Sequence, residues 1–141
     1  MQALYFAYGS NLCSSRMRQR VPSAVVAGAA RLVGYRLTTD KAGRDGTGKA
    51  NLRRCADTAV WGVVWRLEVA QWPLLDACER GYERIHVNPE RITDPAQTYL
   101  SQQLTEDPVL ATKYKRFLVQ GAREHRLPPD WIEQLEALPA R

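Results

Sequence analysis

From Ala3 to Tyr8 every residue is apolar or aromatic, which predicts a short strand over Leu4–Tyr8 buried on both faces. The run breaks at Gly9-Ser10-Asn11. Leu12 and Met17, with Arg16, Arg18 and Arg20 between and after them, then predict a helix with Ser10 or Asn11 as its N-cap. Further strands are expected over Leu32–Thr38, Val60–Glu68, Arg84–Val87 and Thr98–Gln103. The third strand is almost continuously apolar around Gly62, as a central strand with a close-packing glycine would be. Trp72–Cys78 places Trp72 and Leu75 on one helical face, and Ala111–His125 spaces Tyr114, Phe117, Leu118, Gly121 and Ala122 helically. Pro128-Pro129 opens a last helix carrying Trp131, Leu135 and Leu138. The Gly-, Asp- and Lys-rich segment from Asp40 to Lys49 is expected to be a mobile loop.

Strands followed by helices without strict alternation predict an α+β fold with a curled, mixed sheet. A length of 141 residues with 45% hydrophobic content suits one domain spanning 1–141. No apolar run approaches membrane-spanning length and no export signal is read, so a cytoplasmic home is expected. Cys13, Cys55 and Cys78 are an odd number without metal-type spacing, which predicts neither a disulfide framework nor a metal site. The net charge of +5 is spread along the chain, with clusters only at Arg16/Arg18/Arg20, Arg53/Arg54 and Lys113/Lys115/Arg116. Without an accompanying RNA- or DNA-reading pattern, no nucleic-acid partner is expected; attraction of small anionic substrates fits the charge better.

A strand, a turn at Gly9 and a helix start aim several backbone N–H groups at one spot, where a carboxylate or phosphate is favoured. Other chemistries find less support. Cys13 and Cys78 invite a thiol nucleophile with His86 or His125 as base, but the histidines are distant in sequence and no cysteine-enzyme signature surrounds them. Ser10 lacks the Gly-x-Ser-x-Gly elbow of serine hydrolases.

The motifs, taken in order, resemble those of the γ-glutamylcyclotransferase family. They are Tyr5-Phe6-Ala7-Tyr8-Gly9-Ser10-Asn11-Leu12, then Ala30-Arg31-Leu32 with Gly34-Tyr35-Arg36-Leu37, then Val60-Trp61-Gly62-Val63-Val64-Trp65. Leu75-Asp76-Ala77-Cys78-Glu79 fits the family's Leu-Asp-x-x-Glu signature, and Tyr114-Lys115-Arg116 leads into Gly121-Ala122-Arg123-Glu124-His125 and Leu127-Pro128. The resemblance implies a small β-barrel with flanking helices and an enzyme that releases 5-oxoproline from a γ-glutamyl amide without metal or cofactor. It makes Glu79 the acid/base and the turn Gly9, Ser10, Asn11 and Leu12 the cradle of the γ-glutamyl head. Tyr5, Tyr8, Tyr82 and Tyr114 become substrate contacts. Asp76 is expected to bond backbone near its helix end, and Cys78 to pack that helix against the barrel. The implied partner is a small γ-glutamyl substrate, acted on by a monomer or homodimer. A γ-glutamylated amine as substrate and a non-catalytic γ-glutamyl-binding domain are the alternatives.

Four departures from the family pattern stand out. Arg80 takes the place of the glycine that usually follows the glutamate, the connection from Glu79 to Tyr82 is short, Ala111-Thr112-Lys113 precedes Tyr114 without the Pro-Ser often found there, and Arg126 stands where glycine is common.

Overall fold

The computed structural model describes residues 1–141. Five strands form one mixed sheet: β1 (Gln2–Ala7), β2 (Val25–Ala42), β3 (Gly48–Glu68), β4 (Glu83–Val87) and β5 (Ala96–Leu100). The spatial order is β2-β3-β1-β5-β4, with β1 antiparallel to β3 and parallel to β5. Four α-helices pack around it: α1 (Ser14–Arg20), α2 (Trp72–Cys78), α3 (Thr112–Glu124) and α4 (Pro129–Glu136). None is long and apolar enough to cross a membrane.

The α+β expectation holds, with one correction. The sheet curls but does not close as a barrel, because β2 and β4 remain its edges. Loop contacts bridge the gap instead. Glu90 N–H donates to the Arg31 carbonyl at 2.8 Å, Ala42 N–H to Gln103 at 2.7 Å and Thr105 N–H to Asp40 at 2.8 Å. Those bonds satisfy edge groups that an open sheet would expose.

Strand β1 lies at the centre, and Leu4, Tyr5, Phe6 and Ala7 are all buried, as its unbroken apolar run requires. Gly62 opposite it is a close-packing position: a Cβ there would fall 2.3 Å from the Ala7 carbonyl oxygen. Phe6, Trp65, Leu12, Met17, Leu118 and Leu135 meet in one apolar cluster of 30 buried residues. Full burial of each such side chain is worth about 1.5–3 kcal/mol.

Strands β2 and β3 run well past their predicted limits, to 18 and 21 residues. They pair as a long ribbon with register shifts at Val26/Gly28, Val33/Tyr35 and Thr38/Lys41. The predicted Asp40–Lys49 loop is thereby reduced to a turn over residues 43–47, since Lys41 pairs with Lys49 and Ala42 with Gly48. Ladder bonds override the poor strand propensity of these polar residues. The turn closes through Gly43 N–H to the Thr47 carbonyl at 3.0 Å and Thr47 N–H to Asp45 Oδ1 at 3.0 Å.

Helix α3 ends in a Schellman arrangement, with Leu127 N–H donating to Ala122 and Arg126 N–H to Arg123. Arg126 holds φ +53°, the left-handed conformation that glycine adopts freely. The preference for glycine at this position thus has a backbone cause.

Candidate active site

The turn after β1 is a short 3-10 helix, Ser10–Leu12, and not the start of α1. Its Leu12 and Cys13 N–H groups are spent on the carbonyls of Gly9 and Ser10, at 3.0 and 3.2 Å. Gly9, Ser10 and Asn11 keep N–H groups with no acceptor in the chain, so the predicted cradle ends one residue earlier, at Asn11. The Leu12 side chain is fully buried in the core.

Neither Ser10 nor Asn11 caps α1; Cys13 occupies that position without a side-chain cap. Asn11 is drawn into a different network. Its Nδ2 donates to Tyr5 Oη at 3.0 Å and to Glu79 Oε1 at 2.8 Å, and its Oδ1 accepts from Arg20 at 3.1 Å. Its carbonyl accepts from the indole of fully buried Trp65 at 3.1 Å, which locks the turn onto β3. A cap would use one oxygen, whereas here every polar atom of the amide is engaged.

Glu79 terminates α2, its N–H bonded to the Leu75 and Asp76 carbonyls. The side chain is 14% exposed and is ion-paired with Arg20 Nη1 at 3.1 Å. Both contacts, from Asn11 and Arg20, fall on Oε1, which leaves Oε2 without a protein partner. Burial raises the Glu79 pKa above the usual carboxylate range, opposed by Arg20, the Asn11 amide, Arg16 and Lys41. A carboxylate held by one oxygen, with its pKa moved toward neutrality, suits proton transfer at the other.

Glu79 lies where a narrow recess meets an outer cleft of about 470 Å³. The recess is walled by Tyr5, Tyr8, Tyr82, Tyr99 and Tyr114, with Gly9, Ser10, Asn11 and Ala50. Hydrogen bonding sorts the phenols into two kinds. Tyr8 gives its proton to the Tyr99 carbonyl at 2.6 Å, Tyr82 to the Ala50 carbonyl at 2.7 Å, and Tyr99 to Asp76 at 2.6 Å. Tyr5 and Tyr114 instead accept, from Asn11 and from Ala50 N–H at 3.0 Å, so their own protons remain free for a ligand. Burial lifts the Tyr114 pKa to about 12, which keeps it a donor at neutral pH. Ala50 offers both its N–H and its carbonyl because the register shift at Thr38/Lys41 leaves it out of the ladder.

Asp76 therefore bonds a side chain, Tyr99, and not the helix backbone, with Arg84 at 3.7 Å as a further neighbour. Cys78 is exposed on the wall of the outer cleft and does not pack α2 against the sheet. Cys13 is buried beside Ser15, while His125 meets Ser14 at 3.1 Å and His86 is exposed. No cysteine is bonded to a histidine.

Residues 59–135 match the family model described as AIG2-like. The γ-glutamylcyclotransferase of Mus musculus is 33% identical over 96% of this chain and 78% of its own length, and that of Homo sapiens is 31% identical over the same shares. The chain belongs to the γ-glutamylcyclotransferase family. A solved structure described as a γ-glutamyl cyclotransferase superposes with a TM-score of 0.89 at 29% identity, over 100% of this chain and 90% of that one.

The enzyme thus brings Tyr5, Tyr8, Gly9, Ser10, Asn11, Glu79, Tyr82 and Tyr114 to a single recess. Sequence reasoning missed Arg16 and Arg20, which reach the cleft from one face of α1. Arg16 donates to Ser10 Oγ at 3.0 Å and lies over the Phe117 ring at 4.4 Å. Their i, i+4 spacing immediately after the turn was the available signal.

Proposed function

We propose that Glu79 drives the intramolecular aminolysis of an L-γ-glutamyl amide to 5-oxoproline and a free amine. The observation that carries this is the split environment of its carboxylate, at a residue that lines both recess and cleft: Oε1 is fixed by Asn11 and Arg20, and Oε2 has no protein partner.

The α-amine of the substrate forms a bond to its own γ-carbonyl carbon, and the bond from that carbon to the leaving nitrogen breaks. The α-ammonium gives up two protons in becoming the lactam N–H, and the leaving nitrogen gains two in departing as an ammonium ion. Glu79 alternates as base and acid in that traffic. The substrate supplies the nucleophile, so the chemistry calls for no metal or cofactor. Folding the head until amine and carbonyl meet is worth about 7–11 kcal/mol in favourable cases. The N–H groups of Gly9, Ser10 and Asn11 and the free phenol protons of Tyr5 and Tyr114 suit the α-carboxylate and the oxygen that develops negative charge. Tyr8 and Tyr82 shape the wall.

The intact carboxylate favours turnover over a purely binding role. The cations of the outer cleft favour a γ-glutamyl amino acid over an uncharged amine as the substrate. On this reading the enzyme works on a free small molecule in the cytoplasm, as a monomer or homodimer, without nucleic acid.

The test is 5-oxoproline release from L-γ-glutamyl-L-alanine. Glu79→Gln keeps the size and removes the base, and is expected to lower turnover by about 10²–10⁴-fold while still binding substrate. Near-normal turnover by a folded variant would overturn the mechanism.

A further inference from the structure

The outer cleft carries more positive charge than the reaction at Glu79 requires. Arg16, Arg20, Lys41, Arg44, Lys49 and Arg80 line it, against only Asp45 and Glu79. Half of the cations are already engaged. Arg20 pairs with Glu79, Lys49 pairs with Asp45 at 3.1 Å, and Arg16 is held by Ser10 and Phe117. Lys41, Arg44 and Arg80 have no carboxylate partner.

Lys41 is the informative one. The residue is only 8% exposed, yet its Nζ makes neither a hydrogen bond nor an ion pair and rests 5.2 Å from the centre of the Tyr82 ring. Burial lowers its pKa, and the nearby cations Lys49 and Arg44 add to that while Glu79 opposes it. The stem is buried while the ammonium opens on the cleft, where no carboxylate of the chain meets it. Gly81 takes φ +84°, and a Cβ there would lie 2.9 Å from Lys41 Nζ. The Arg80-Gly81 pair that departs from the family pattern therefore does two things. Its glycine takes a left-handed backbone beside Lys41 Nζ and Gln103 Oε1, and its arginine adds a second cation to the same rim.

We propose that Lys41, Arg80 and Arg44 form a subsite for a leaving group bearing two carboxylates, so that γ-glutamyl amides of acidic amino acids are the preferred substrates. The proposal rests on the reading that places the γ-glutamyl head at Gly9–Asn11 and Glu79. The head binds against the Gly9–Asn11 turn and Glu79, and the departing acidic amino acid lies in the cleft, where its carboxylates supply the partner that Lys41 lacks. Charge-assisted hydrogen bonds of this kind are roughly twice as strong as neutral ones.

The experiment compares L-γ-glutamyl-L-glutamate, L-γ-glutamyl-L-alanine and L-γ-glutamyl-ethylamide in two ways. Calorimetric binding to the Glu79→Gln protein reads the subsite without turnover, and 5-oxoproline release by the parent enzyme reads the reaction. The expected affinities fall in the order given, by about tenfold or more between glutamate and ethylamide. Adding Lys41→Met should bring the glutamate-to-ethylamide ratio close to one. Adding Arg80→Ala, at an exposed position that the fold tolerates, should lower it part of the way. Equal affinities for the three ligands, or a ratio unmoved by both substitutions, would overturn the subsite even with 5-oxoproline release intact. A preserved acidic preference in binding with no 5-oxoproline from any of the three would instead overturn the reaction and leave the subsite standing.

Discussion

Gly121 on α3 lies directly against the backbone of Leu12: a Cβ at 121 would come within 2.3 Å of the Leu12 carbonyl carbon and 2.5 Å of the Cys13 nitrogen. The helix thus serves as the floor of the turn whose N–H groups face the recess. Gly121→Ala forces the two apart and is expected to cost about 1–3 kcal/mol. Thermal denaturation and 5-oxoproline affinity should both show the loss. A variant with unchanged melting temperature and affinity would mean that the turn tolerates displacement.

The Arg20–Glu79 pair makes a prediction about pH. On the proposed mechanism Glu79 acts as a base only when ionised, and its raised pKa should place the acid limb of kcat/KM above the ordinary glutamate value of 4.5. Arg20 opposes that rise, so Arg20→Gln should move the acid limb to higher pH and cost more activity at low pH than at high pH. Arg20→Lys should return the limb part of the way. A uniform loss at every pH would assign Arg20 a purely structural role.

Tyr114 and Tyr8 offer a matched comparison. The free proton of Tyr114 can reach a ligand, while that of Tyr8 is given to the Tyr99 carbonyl. Tyr114→Phe is expected to reduce kcat by about 10²–10³-fold if it stabilises the developing oxyanion. Tyr8→Phe should act mainly on stability, by about 1 kcal/mol for the lost hydrogen bond. Steady-state kinetics beside denaturant melts would separate the two, and equal kinetic losses would contradict the assignment.

Arg126 predicts a gain. Its left-handed backbone costs a residue with a Cβ about 1–2 kcal/mol that glycine avoids. Glycine's greater freedom in the unfolded chain returns roughly 0.5–1 kcal/mol of that. Arg126→Gly should therefore raise the melting temperature modestly without altering kcat/KM. A lowered melting temperature would show that the arginine side chain contributes more than its backbone strain costs.

The apolar run of β1, the glycine-centred run of β3 and the helical spacing of α3 were legible because each reflects burial that the chain itself encodes in its periodicity. The Glu79 and Gly9–Asn11 assignments came from the resemblance, and the fold then set those residues around one recess. Side-chain direction was not legible. Asn11 has the composition of a helix cap, and only the arrival of Glu79 and Tyr5 from elsewhere in the chain draws it away. Cys78 follows Leu75 at helical spacing, yet α2 ends there and leaves it on the cleft wall. The polar stretch around Lys41 and Lys49 carries loop-like residues, and its strand character comes from pairing across the ribbon, a non-local cause that no window of sequence contains.

The ribbon of β2 and β3 divides the enzyme's labour along its own length. Its base is sealed in the core through Val60, Val63 and Val64, while its far end carries Lys41 and Lys49 to the rim and closes in a five-residue turn over 43–47. On the proposed reading, the sealed end holds the frame for ring closure and the open end meets the departing amine. Surface turns bear substitution at little cost to the rest of a fold. The tip is therefore a replaceable cartridge: on the proposed reading, a chimaera that exchanged residues 41–49 would inherit a new appetite while Glu79 and the Gly9–Asn11 turn stayed as they are.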